Sequence, residues 1–183
     1  MTQNWYAVYT KPQQEKKVAS LLSKRGINNY YPVNNITRQH FHSRKTMMEP
    51  LFSSFVFVYI SESELLSIKK IPGVINFIYW MSKPAVIHDE EIDVLQQFTS
   101  VYQNIRLEKS TVNMVGMVRV VDDPIISFKE NSATIRFQTL KIILPSLGYT
   151  MVAERNKVNE EALQMVSRSN LFNKHINSTF LSN

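Results

Sequence analysis

Phe55-Val56-Phe57-Val58-Tyr59-Ile60 is an unbroken run of six apolar or aromatic side chains. Successive side chains of a strand point to opposite faces, so such a run has to be covered on both sides of a sheet. Alternation sends Phe55 and Phe57 to one face and Val56 and Val58 to the other, and at least one set must be buried. Pro50-Leu51-Phe52 introduces the run. A short amphipathic stretch, Ser63 to Lys70, follows it, and Ile71-Pro72-Gly73-Val74 opens another strand. Strand, one crossover helix, strand is a compact α/β signature.

Upstream, Asn4 to Thr10 alternates Trp5, Ala7 and Tyr9 against Tyr6 and Val8 and reads as a strand. Thr10 and Gln13 have capping-box spacing, Pro12 suits an early helical position, and Gly26 supplies a left-handed stop after Arg25. The helix between them buries Val18, Leu21 and Leu22 and turns Lys16, Lys17, Ser20 and Lys24 outward. Ile27 to Val33 reads as a second strand. Asn35 to Ser43 reads as a hairpin arm with a polar, basic side, turning near Ser43-Arg44-Lys45 and returning through Met47 to Phe52. Val74 to Trp80 is a further strand, and His88-Asp89-Glu90-Glu91 starts a helix that ends near Tyr102, its acids at the positive end of the dipole.

Downstream the pattern changes. Residues 103–111 are polar and weakly periodic, a linker. Val112–Val121, Ala133–Phe137, Lys141–Leu144 and Thr150–Glu154 have the spacing of a small all-β unit, with turns at Pro124, Pro145 and Gly148. Residues 157–183 begin weakly helical and end in a Ser/Asn-rich stretch with the composition of a disordered tail.

Charge is asymmetric. Residues 1–48 hold eight Lys/Arg against one acid, Glu15, whereas residues 49–100 hold three against seven. A concentrated positive field of that kind commonly faces nucleic acid; its bland counterpart is a solvated basic face. The absence of cysteine excludes a disulfide scaffold, a thiolate metal site and a cysteine nucleophile. The four histidines include one close pair, His40 and His42, with no third ligand nearby, so a metal site is not expected. Four glycines form no phosphate loop, and no catalytic constellation is visible. The expectation is a non-enzyme without cofactor, cytoplasmic, with no membrane span and no signal peptide.

Five segments together resemble the amino-terminal domain of NusG-type transcription factors: Trp5 to Thr10 (WYAVYT), Glu15 to Ala19 (EKKVA), Tyr30 to Pro32 (YYP), Glu49 to Val58 (EPLFSSFVFV) and Ile71 to Val74 (IPGV). The resemblance covers about residues 4–102. It implies an α+β fold: an NGN-type α/β sandwich over 1–102, an antiparallel sheet flanked by helices, followed by a small KOW/SH3-like β-barrel over 112–156. The basic hairpin and its spacing to Glu49-Pro50-Leu51-Phe52 look closer to specialised, RfaH-like paralogues, which act on selected operons, often for surface polysaccharides. In the second half, Gly116 to Pro124 keeps the opening Gly and the Pro of a KOW motif, but Ile125 to Lys129 stands where its next glycines belong.

The implied activity is antitermination, through binding to the clamp helices of bacterial RNA polymerase and suppression of pausing. Phe52 and Phe55 occupy the aromatic positions of the family's Phe-Pro-Gly-Tyr element, here Phe-Ser-Ser-Phe, and with Tyr6, Tyr9 and Pro50 would form an apolar cup on a polymerase helix. The competing reading is that these rings fill the core. Lys11, Lys16, Lys17, Lys24, Arg38, His40, His42, Arg44 and Lys45 are the candidate contacts to upstream or non-template DNA. Glu64-Leu65-Leu66-Ser67 departs from the Thr-rich patch that paralogues present to the opposite pincer, so that contact does not carry over, and Leu65 and Leu66 read as core. The barrel would meet a ribosomal protein or another factor. The alternative reading is an RNA-binding KOW-type module acting at the ribosome.

Overall fold

The computed structural model describes residues 2–40, 43–110, 119–129 and 132–154. His42, the start of the expected strand at 112, and the tail 157–183 lie outside them. The chain divides into two compact units, residues 1–34 with 48–93, and residues 35–47 with 94–183. Antiparallel sheets dominate both, with few helices.

In the first unit, β1 (Gln3–Thr10) is the centre of a five-stranded sheet. It pairs antiparallel with β5 (Phe55–Ser61) on one side and β6 (Val74–Phe77) on the other; β2 (Asn29–Tyr30) lies outside β5. Strands β5 and β6 are therefore parallel to each other with β1 between them, the split βαβ arrangement that the strand–helix–strand signature requires. The crossover is a 3₁₀ turn (Glu62–Glu64) running into the short helix α2 (Leu65–Lys69). The apolar run is covered on both faces as expected: Val56, Phe57, Val58 and Ile60 are buried.

One face of this sheet forms the main core. Tyr6, Val8, Val56, Val58, Ile60 and Phe77 pack with Val18 and Leu22 of α1 (Glu15–Lys24) and with Ile68 of α2. The stripe read for α1 is the one buried, and Gly26 ends it in the left-handed region at φ 72. Gly73 is also at positive φ, 97, and has a second reason to be glycine. Its carbonyl accepts from the Lys11 N–H at 2.8 Å, and a Cβ there would meet Gln14 Oε1 at 2.7 Å and Val18 Cγ2 at 2.9 Å.

Local expectations fail where tertiary contacts override them. The Thr10–Gln13 capping box does not form, because Thr10 is buried in β1 and its N–H bonds the Ser54 carbonyl. A capping box stands instead at the 3₁₀ turn, where the Glu64 carboxylate accepts from both N–H and Oγ of Ser61 at 2.9 and 2.7 Å. These bonds, the backbone one first, hold the Glu64 carboxyl below its usual range. Leu66 is 72% exposed; Leu65 and Ile68 supply the apolar contacts of α2, since adjacent positions on a helix cannot share a face. The strand expected over Val74–Trp80 breaks at Ile78. Beyond it, β7 (Tyr79–Trp80) pairs with β8 (Lys83–Pro84), and β9 (Val86–Ile87) returns to β1.

The basic arm is a hairpin of β3 (Val33–His40) and β4 (Ser43–Pro50), turning earlier than expected so that Arg44 and Lys45 lie on the returning strand. Thr37 and Thr46 hydroxyls meet across it at 3.2 Å. Helix α3 runs Asp89–Val101.

In the second unit, Asn104 ties the arm down: its side-chain oxygen accepts from the Thr37 N–H and its own N–H donates to the Asn35 carbonyl, at 2.8 and 2.9 Å. β10 (Arg106–Lys109) forms inside the stretch read as a linker, because β13 (Tyr149–Glu154) offers it an open edge. With β12 (Ser132–Leu144) and β11 (Arg119–Lys129) they make a four-stranded antiparallel sheet in the order β10-β13-β12-β11. Strand formation thus begins at Arg106, and the two short strands expected at Ala133–Phe137 and Lys141–Leu144 form one long strand, β12. The β11–β12 pairing shifts register between Asp123 and Pro124, where proline has no N–H to give the ladder.

Candidate polymerase-facing and nucleic-acid-facing surfaces

The face of the first sheet opposite the main core is aromatic. The β1–β5 register sets Trp5 beside Tyr59, Ala7 beside Phe57 and Tyr9 beside Phe55. The ring centres of Trp5 and Tyr59 lie 5.3 Å apart and those of Tyr9 and Phe55 5.6 Å apart. Phe52 meets Phe57 edge to face at 5.8 Å. The stripe is graded: Phe57 and Phe52 are buried, while Phe55 is half-buried and Tyr9 is 37% exposed.

The five residues read as an apolar cup are therefore not one surface. Tyr9 and Phe55 form an accessible ring pair, and Pro50, at the end of β4, is half-buried. Phe52 is 3% exposed and serves as packing. Tyr6 is 2% exposed and sits on the other face of the sheet, edge to face with Phe77, its hydroxyl without a hydrogen-bond partner. Period-two alternation makes it impossible for Tyr6 and Tyr9 to share a face of one strand.

The turn between Phe52 and Phe55 explains how the pair is held. Ser54 adopts φ 66, the left-handed conformation for which a Gly is the usual choice. Two hydrogen bonds pin it: Thr10 N–H donates to the Ser54 carbonyl at 2.8 Å, and the Ser54 N–H donates to Glu15 Oε1 at 2.7 Å. Glu15 is buried. Burial first, and the Glu15 charge second, push the Tyr31 phenol above its ordinary range. Sequence reasoning counted Glu15 only as a charge and Ser54 only as part of the Phe-Ser-Ser-Phe element, and missed the bond between them. The available signals were a lone acid at the head of a basic helix and a serine in place of glycine.

Burial of Glu15 also sharpens the electrostatics. All eight cations among residues 1–48 are exposed, and the single carboxylate of that stretch is turned inward. On α1, Lys17 and Lys24 lie seven residues apart, two helical turns, and so share a stripe, with Lys16 beside it. Lys11 is exposed at the end of β1. On the hairpin, Arg38, Arg44 and Lys45 are exposed; His40 belongs to β3 by its backbone. Among the described residues, no group of three or more His, Cys, Asp or Glu is placed to hold a metal ion, and no helix is long and apolar enough to cross a membrane.

The family model for NusG, described as transcription termination factor nusG, matches residues 3–96, half of the chain. The chain belongs to the NusG family. Membership brings a role in transcription elongation or termination, and NusG-family proteins interact with RNA polymerase. A solved structure of NusG from Thermotoga maritima, reported for its domain interaction, aligns over 87% of this chain and 96% of that one, at 16% identity with a TM-score of 0.47. No curated protein matches the sequence. The NusG match spans the aromatic stripe, the Ser53-Ser54 turn, α1 and the basic hairpin alike.

Proposed function

We propose that this NusG-family chain is an antitermination factor of the RfaH-like kind. It binds the clamp helices of bacterial RNA polymerase and suppresses pausing or termination on particular operons such as surface polysaccharide loci. The observation that carries the reading is the half-exposed Tyr9–Phe55 ring pair, 5.6 Å between centres, held in place by the Glu15-pinned turn. Accessible rigid aromatics supply most of the affinity at protein interfaces. Pro50 extends the contact, and Phe52 supports it from beneath. Lys11, Lys16, Lys17, Lys24, Arg38, Arg44 and Lys45, all exposed, and the histidines at 40 and 42 attract upstream or non-template DNA through its phosphates without reading sequence.

The reading includes a division of labour between an NGN-type domain over 1–102 and a KOW-like barrel over 112–156, with β11, β12 and β13 as the body of the latter and β10, from the stretch between the two, added at the edge of their sheet. The barrel recruits a ribosomal protein or another factor. The protein acts by binding, with no catalytic step. The test is retention of bacterial RNA polymerase by wild type and by Tyr9→Ala/Phe55→Ser, with circular dichroism on both. The folded double variant is expected to lose polymerase. Equal retention by wild type and variant would overturn the placement of the contact, and retention by neither would overturn the reading itself.

A further inference from the structure

The basic arm is a ribbon of two strands: among the described residues β3 pairs with β4 and with no other strand. A lone two-stranded ribbon is marginal in water, and nothing in its own ladder fixes the direction it takes. Packing at its base does not fix it either. Ile36 of β3 lines an open groove of about 340 Å³ together with Asn104, Arg106, Val152 and Glu154, so the ribbon borders space there instead of a filled core. The arm nevertheless belongs to the second unit, which takes in residues 35–47 with 94–183.

One residue makes that tie. Residues two apart in a strand turn their N–H and C=O groups to the same edge, so Asn35 and Thr37 present an acceptor and a donor along one edge of β3. Asn104 meets both: its N–H donates to the Asn35 carbonyl at 2.9 Å, and its Oδ1 accepts from the Thr37 N–H at 2.8 Å. A single side chain and its own amide thus stand in for a third strand. The backbone of Asn104 is left-handed, at φ 53. Asn tolerates that conformation better than most residues and also carries the carbonyl that Thr37 needs; Gly would meet the first demand and not the second.

The clamp sits directly below the charge. The Thr37 hydroxyl meets that of Thr46 across the ribbon at 3.2 Å. Arg38 follows Thr37 by one residue, and Lys45 and Arg44 precede Thr46 by one and two, so all three cations lie on the side of the turn. Holding the Thr37–Thr46 rung holds them as a set.

We infer that Asn104 is the positioning residue of the basic arm: its two bonds to β3 set the direction in which Arg38, Arg44 and Lys45 are presented to DNA. The inference rests on the DNA contact of the proposed function and adds to it a control from outside the hairpin. Asn104 lies two residues before β10, so the arm and the edge strand of the second sheet are joined through it.

The test titrates full-length protein with a short DNA duplex across a range of salt, following anisotropy, with circular dichroism on every variant. Asn104→Gly suits the left-handed backbone and removes the acceptor; Asn104→Asp keeps both. The readout is the slope of log K against log salt, which counts neutralised phosphates and is not moved by a stability loss that leaves the chain folded. Asn104→Asp should keep the wild-type slope. Asn104→Gly should flatten it by about 0.9 for each cation that leaves the DNA, up to about 2.7 for all three. Arg44→Gln should flatten the slope by about 0.9 in the wild-type background and by less in Asn104→Gly, since a contact already lost cannot be lost again. A wild-type slope in Asn104→Gly beside a flattened one in Arg44→Gln would overturn the inference and leave the DNA contact standing. Equal flattening by Arg44→Gln in both backgrounds would overturn it too. No flattening by Arg44→Gln in either would take the arm off DNA, and the inference with it. Amide exchange at Thr37 in wild type gives a second measurement independent of any variant's folding: protection is expected, and exchange at the rate of an open amide would overturn the clamp.

Discussion

Replacing Glu15 by alanine takes away the acceptor for a buried N–H at a strained position. The 2.7 Å bond from Ser54 joins a backbone donor to a carboxylate, and both residues are buried. Hydrogen bonds to charged groups contribute about 1.5–3 kcal/mol, and a buried donor left without a partner costs about 1–3 kcal/mol. These figures describe one event from two sides and are not added. Ser54 in the left-handed region already carries roughly 1–2 kcal/mol of strain that the bond helps hold. Glu15→Ala is therefore expected to destabilise the first unit by about 2–3 kcal/mol. Glu15→Gln, which keeps a carbonyl acceptor and loses the charge, should cost about 1 kcal/mol. Both tryptophans, Trp5 and Trp80, belong to residues 48–93 or 1–34, so urea unfolding followed by tryptophan emission reads that unit. The same variant should weaken polymerase retention more than its stability loss explains, because the turn aims Phe55. A Glu15→Ala variant whose unfolding midpoint stays within error of wild type, at unchanged slope, would refute the reasoning.

Two titration predictions follow from the same geometry. The Tyr31 phenol is raised by burial and then by Glu15, so folding favours its neutral form. That contribution is complete below about pH 10 and is lost as pH rises through the folded value; Tyr31→Phe should flatten the loss of stability on the alkaline side, measured as midpoint against pH. The Asp93 carboxyl is likewise raised, by desolvation first and then by Asp89 and Glu90, which lie four and three residues before it on α3. Its contribution is present at acid pH and lost as pH rises through the folded value. At neutral pH the charge is a liability, and Asp93→Asn should raise Tm, with each relieved like-charge pair worth about 0.2–0.5 kcal/mol; an unchanged or lowered Tm would count against it.

Much of the first sheet was legible because it rests on short-range rules. Alternation along Trp5 to Tyr9 and Phe55 to Ile60 assigned opposite faces correctly, Gly26 stopped its helix where a left-handed residue was needed, and Val18 and Leu22 were buried as their spacing required. The candidate site was legible only in part. A motif placed five residues in one cup, whereas the register separates Tyr6 from Tyr9 and packing withdraws Phe52. Leu66 looked like core until Ile68 took the position over the sheet. Residues 103–111 looked like a linker because their side chains are polar and without period, and strand pairing through β10 uses only the backbone.

The order of residues by itself determined which side chains share a face, where charge accumulates, and that the Phe55–Ile60 run must be covered twice. Those properties depend on chain geometry and composition alone. Tertiary structure decided which member of each pair reaches solvent, that the only acid among the first 48 residues turns inward to hold a serine turn, and that Tyr79 and Trp80 are left outside on a hairpin. Exposure depends on what a distant segment covers, and a hydrogen bond between residues 39 positions apart has no periodicity to announce it.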